Sequence, residues 1–256
     1  MTLSPEAAPR PPATLSAGRA YALLGVVVAV AYSPSYLVMI HSLTEGLGGP
    51  APAATWSDVL IDWARYALML GLVIFGCVWV SRRLGLGVRE LFTPSAPAPT
   101  RSGRRIHPVI TWVLGLLAFA GLFAGLELSA VLATPAPAQA AGSAPGPGLD
   151  AVLWEVGTRV PNTLATSLIE EMVLLGLIAL VLGLAERPAW EVYALSAGIR
   201  AAMHAHHGWD ALWWVLLGVA LMALYRRGTL LPLILAHATY NAEITVLTIT
   251  LALLFG

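Results

Sequence analysis

The stretch NTLATSLIEEMVLLGLIALVLGL, residues 162–184, decides how the chain is read. Two adjacent glutamates, Glu170 and Glu171, stand inside a run otherwise apolar enough to cross a bilayer. A spanning helix needs about 20 mostly apolar residues. A charged side chain at the centre of such a helix costs roughly 2.5–3.5 kcal/mol, so it is kept where it has a task. Adjacent helical positions point about 100° apart. One carboxylate can face a small cavity while its neighbour pairs with a cation or donor that fixes the helix.

Composition places the whole chain in the same solvent. It is 58% hydrophobic and 11% charged, where a soluble domain carries roughly 25% charged residues. Net charge is zero, so nothing marks a nucleic-acid partner. The single cysteine, Cys77, cannot form an intramolecular disulfide. The sequence predicts an all-α polytopic membrane helix bundle of about seven transmembrane helices. Residues 1–18 read as a disordered tail and 19–256 as one membrane domain, with a catalytic core at about 162–245.

Outward from residues 162–184, the apolar runs fall at 20–40, 61–80, 109–132, 192–205, 211–225 and 229–255. The run at 192–205 is short and less apolar than the rest, and 229–255 is long enough to bend or split after Asn241. Gly121 and Gly125 give the third run a small-residue spacing suited to close helix packing. Residues 134–148 read as a Pro/Ala/Gly-rich flexible loop. Residues 150–160 read as a short interfacial helix that Pro161 ends or kinks. Arginines crowd the loops after the second and sixth runs, which predicts that side, and the N-terminus, to be cytoplasmic. The whole reads as an integral protein of a bacterial plasma membrane.

Two more polar clusters accompany the glutamates. Arg200 and His204 share a helix face at i, i+4, and so do His237 and Asn241. A histidine can shuttle a proton or bind a metal, and an asparagine can donate to an oxyanion. Each pair alone fits an interhelical hydrogen bond equally well. Together they supply a water-activating base and an oxyanion stabiliser. The span boundaries put Glu170 nearer the outer face and His237 nearer the inner one, so short, tilted or broken helices are needed to bring them together.

The order Glu170-Glu171, then His204, then His237-Ala-Thr-Tyr-Asn241 resembles the CPBP family of CAAX proteases and bacteriocin-processing enzymes, also called Abi. The resemblance implies an intramembrane endopeptidase in which Glu170, helped by His204, activates water. His237 and Asn241 would polarise the carbonyl and hold the oxyanion, with Glu171 in support. Leu175 stands where the family's first motif has arginine, and Arg200 where its second has an aromatic. Arg200 is therefore expected to supply Glu171's cation from the neighbouring helix. The family is filed with metalloproteases, which brings in Zn2+ as a cofactor to test. No His-Glu-x-x-His motif is present, a metal-free mechanism fits the same residues, and no metal ligand is assigned. The implied partners are membrane lipid and a peptide or protein substrate; the sequence does not fix the oligomeric state. The competing reading is non-enzymatic: a proton-coupled transporter, or a degenerate family member acting as scaffold or immunity protein.

Overall fold

The computed structural model describes residues 15–45, 56–94, 105–132 and 149–255. Among them the fold is all-α: α1 (Ala17–Glu45), α2 (Trp56–Arg83), α3 (Arg89–Phe92), α4 (Pro108–Leu132), α5 (Leu149–Glu171), α6 (Ile178–Leu184), α7 (Ala189–Met203), α8 (Ala211–Arg227) and α9 (Leu230–Phe255). A π-helical turn, Met172–Leu177, joins α5 to α6, and a 3₁₀ turn, Ala205–Asp210, joins α7 to α8. Of the tail expected at residues 1–18, residues 1–14 lie outside the described residues, as does the loop at 134–148, while Ala17 and Gly18 already belong to α1.

The stretch containing Glu170 and Glu171 is the centre of the bundle. In its most apolar window 78% of residues are buried, against 22–28% in the other three candidate spans. The others turn one face to lipid, whereas this one is wrapped by protein. Helices α2 and α9 pack against α5, α4 packs against α8 and α9, and α7 packs against α8.

Between helices in lipid there is little hydrophobic driving force, so close van der Waals approach carries the packing. The glycines show where. A Cβ at Gly218 of α8 would lie 2.7 Å from the Ala197 Cα of α7. One at Gly115 of α4 would lie 2.8 Å from the Ala236 Cβ of α9. Gly125 receives the ring of Trp213, whose Nε1 donates to Ser129 Oγ at 2.9 Å. Gly121 faces open space, so the small-residue spacing serves packing at only one of its two positions.

Four stretches among the described residues are long and apolar enough to cross a membrane: Val59–Arg83, Pro108–Ser129, Pro161–Leu184 and Ala205–Arg227. Helices α1 and α9, of 29 and 26 residues, are also long enough to cross, in keeping with the all-α polytopic bundle expected from sequence. The run at 192–205 is the expected span that falls short. Helix α7 has 15 residues, about 22 Å at 1.5 Å each, short of a hydrocarbon core of roughly 30 Å. The last run neither bends into two helices nor splits after Asn241, since α9 is continuous.

Pro161 does not end a helix either: α5 runs through it from Leu149 to Glu171. Proline lacks the N–H that would bond the carbonyl four residues back, here that of Gly157. The indole Nε1 of Trp63, on α2, donates to that carbonyl at 2.7 Å. The lost bond is replaced from a neighbouring helix, which lets the helix continue.

The arginine-rich ends come together. The Ile106 N–H bonds to the Arg227 carbonyl at 2.7 Å, joining the entry of α4 to the exit of α8. At the same end Glu191 accepts from both Arg187 and Tyr21, tying α7 to α1. The guanidinium and the tyrosine hydroxyl hold the Glu191 carboxyl below its ordinary range.

Candidate active site

Helix α5 ends on the two glutamates, and the π turn begins at the next residue. Six consecutive buried residues, Met172 to Leu177, make that turn. Such turns are rare and gather at functional sites. At Gly176, inside the turn, the Leu91 carbonyl comes so near that a Cβ would lie 3.1 Å from it. No feature of Met-Val-Leu-Leu-Gly-Leu distinguishes this turn from an ordinary α-helix, so sequence reasoning missed it.

Arg200, near the C-terminal end of α7, reaches both carboxylates. Its Nη1 donates to Glu170 Oε2 at 3.0 Å, and its Nη2 donates to both oxygens of Glu171 at 2.9 Å. The side chain is fully buried. The pairing expected from the leucine at position 175 is present, and it takes in Glu170 as well. His237 Nδ1 lies 2.8 Å from Glu171 Oε1. Phe119 stacks on the His237 ring, centroids 4.6 Å apart, and fixes its plane.

Asn241 Nδ2 donates to Ser167 Oγ at 3.0 Å, and Ser167 Oγ donates to the Thr163 carbonyl at 2.7 Å. Glu171 with His237, and Ser167 with Asn241, are successive rungs between antiparallel α5 and α9, each one turn from the other. This answers the mismatch in depth. Helix α5 begins at Leu149, well before residue 162, and the π turn changes the rise beyond Glu171. Depths counted from span boundaries on straight helices do not apply.

The two glutamates differ. Glu171 is 0% exposed and has both oxygens engaged, whereas Glu170 is 7% exposed. Glu170 lines a cavity of about 270 Å³ with Tyr32, Arg65, Tyr66, Thr166 and His204. His204 closes α7 and stacks flat on Trp214, centroids 3.4 Å apart. Its Nε2 is buried without a hydrogen-bond partner among the described residues. Glu170, Glu171, Arg200 and His237 thus form one bonded network. His204 shares a cavity with Glu170, and Asn241 joins through Ser167, one turn away.

Tyr32, Tyr66, Phe119, Ser167 and Trp214 were not anticipated. In a chain this apolar an aromatic near a site looks like any other lipid-facing or core residue. Ser167 carried a signal, four residues before Glu171 on the same helix.

Glu170, Glu171 and His237 each place one ligand atom within 4.8 Å of the others. The donor set still does not suit Zn2+. Arg200, a permanent cation, spans both carboxylates and occupies both Glu171 oxygens. A divalent ion there would displace it or stand beside it without water to screen the two charges.

Residues 152–242, which hold every one of these groups, match the family model described as type II CAAX prenyl endopeptidase Rce1-like. Over this segment the chain is similar to the CAAX-protease family. No curated protein and no solved structure matches the chain. The matched segment supplies all of α6, α7 and α8 and the glutamate-bearing part of α5. With its apolar helices, it makes the chain an integral membrane protein.

Proposed function

We propose that the protein is an intramembrane endopeptidase whose base is Glu170. One observation carries this: of two adjacent carboxylates, one faces a cavity and the other is locked between Arg200 and His237. Glu170 Oε2 is held by Arg200, while Oε1 takes no part in that bond. In the reaction a water in the cavity loses a proton to Glu170, with His204 as second acceptor, and its oxygen attacks the scissile carbonyl. The proton then passes to the amide nitrogen as the C–N bond breaks, leaving a carboxylic acid and an amine. Glu171 holds His237 by Nδ1, so an imidazolium at position 237 keeps Nε2–H to donate to the oxyanion. Asn241 is the second donor, positioned by Ser167. No step uses a metal. The substrate is a peptide segment delivered to the bilayer, and the arginine-rich end is cytoplasmic.

The test is cleavage of membrane-anchored peptides by the purified chain in detergent, read by mass spectrometry, with and without chelator. Losing one oxyanion donor costs roughly 10²–10³ in rate, and losing the base should cost at least as much. Glu170→Gln and His237→Ala should each nearly abolish cleavage, and the double variant should be little slower, since members of one unit are non-additive. Asn241→Ala should leave residual turnover. A folded Glu170→Gln variant cleaving at the parental rate ends the proposal. Inhibition by chelator, reversed by Zn2+, would end its metal-free form.

A further inference from the structure

A second cavity of about 260 Å³ lies at the arginine-rich end of the bundle and shares no lining residue with the Glu170 cavity. Leu180, Gly183 and Leu184 of α6 give it an apolar floor. Arg226 at the end of α8 and Glu90 of α3 give it one cation and one anion. Arg187 also reaches it, but is engaged by Glu191. Arg226 lies over the Tyr193 ring, 5.7 Å from its centroid. Glu90 Oε2 is buried with no hydrogen-bond partner among the described residues. A buried acceptor left without a donor is costly, so turning the Glu90 carboxylate from its place beside Gly87 out to a ligand's N–H is favoured. The segment that carries Glu90 is held in place, because the Tyr225 hydroxyl donates to the Leu91 carbonyl at 2.9 Å.

The level in the membrane agrees. Trp190, beside Ala189 of the cavity wall, is 68% exposed. An exposed tryptophan among arginines at a helix end marks the headgroup layer. A ligand here meets a cation, an anion and an apolar groove in one place.

We propose that this cavity binds a phospholipid with a primary-amine headgroup of the phosphoethanolamine type. The phosphate pairs with Arg226, the ammonium donates to Glu90, and an acyl chain lies along α6. A choline headgroup carries the same charges but has no N–H for Glu90. A glycerol headgroup satisfies Arg226 but leaves Glu90 beside an anion.

Native mass spectrometry of the full chain in detergent tests this. The probes are phosphatidylethanolamine, phosphatidylcholine and phosphatidylglycerol with matched acyl chains, together with soluble glycerophosphoethanolamine. Phosphatidylethanolamine should be retained about tenfold over phosphatidylcholine, the scale of one charge-assisted hydrogen bond. Glu90→Gln should remove that preference, and Arg226→Gln should weaken both lipids alike. A side chain at Gly183 would enter open space, so Gly183→Leu should expel the lipid without lowering thermal stability. Equal retention of the ethanolamine and choline lipids overturns the proposal. Stronger retention of phosphatidylglycerol overturns it in favour of an anionic lipid on arginines. Equal binding of glycerophosphoethanolamine overturns it in favour of a soluble ligand.

Discussion

Arg200→Leu is the most informative single change. The side chain is fully buried and donates three hydrogen bonds to two carboxylates. Removing one partner of a buried ion pair costs roughly 3–5 kcal/mol, because it strands the other charge. Two carboxylates do not double that figure. His237 remains at Glu171, and Glu170, on the cavity, can take up a proton. The expected loss is therefore about 3–5 kcal/mol, within the range for one pair. Arg200→Lys should fall between, since an ammonium is a point charge without the planar fork that reaches two carboxylates. Arg200→Leu combined with Glu170→Gln and Glu171→Gln should recover much of the loss, because no charge is then stranded. Reversible unfolding in mixed micelles, followed by tryptophan fluorescence, measures all four proteins. An Arg200→Leu variant as stable as the parent, or a triple variant no better than the single one, would refute the reasoning.

Leu175→Arg should depend on its background. In the parent it adds a second cation at a fully buried position and should destabilise, whereas on Arg200→Leu it should restore part of the lost stability; thermal melts of the four proteins read the sign. Trp63→Phe removes the donor to the Gly157 carbonyl and should cost about 1 kcal/mol. On a Pro161→Ala background, which returns a local N–H, that cost should shrink towards zero; equal costs in a double-mutant cycle would refute the replacement. Glu191 has its folded carboxyl held below the ordinary range by Arg187 and Tyr21. Its stabilisation is thus complete above the unfolded carboxylate value, about 4.3, and fades as pH falls through the lower folded value. Glu191→Gln should lower the melting temperature at pH 7, with the gap closing below pH 4; a gap constant with pH would count against the clasp.

Membrane class, the helical fold and the meeting of three polar clusters were legible because each rests on the cost of charge in hydrocarbon. Glu170, Glu171, Arg200 and His237 had to find partners, and few were available. Helix length was less legible. Pro161 breaks a helix only if the Gly157 carbonyl finds no donor, and that donor, Trp63, lies 94 residues away in sequence. The π turn was illegible for a similar reason. Its six residues are equally good α-formers, and the close approach of the Leu91 carbonyl at Gly176 comes from another helix. Apolar periodicity says which residues avoid water, but in lipid it does not say which helix they meet.

The position of the cation has a consequence for the site. An arginine at 175 would lie one turn beyond Glu171 on the same helix, and its reach would favour that carboxylate. From α7 a planar guanidinium instead presents Nη1 to Glu170 and both of its Nη2 bonds to Glu171. Glu171 is held by two bonds from Nη2 and then by His237, while Glu170 is held by one oxygen on the edge of a cavity. The same contact therefore separates two chemically identical neighbours into a fixed group and one on the cavity, the one we propose as the base. It also ties that division to the packing of α7 on α8, where Gly218 meets Ala197. A shift of α7 that leaves Glu170, Glu171 and His237 in place would still blur the distinction between Glu170 and Glu171.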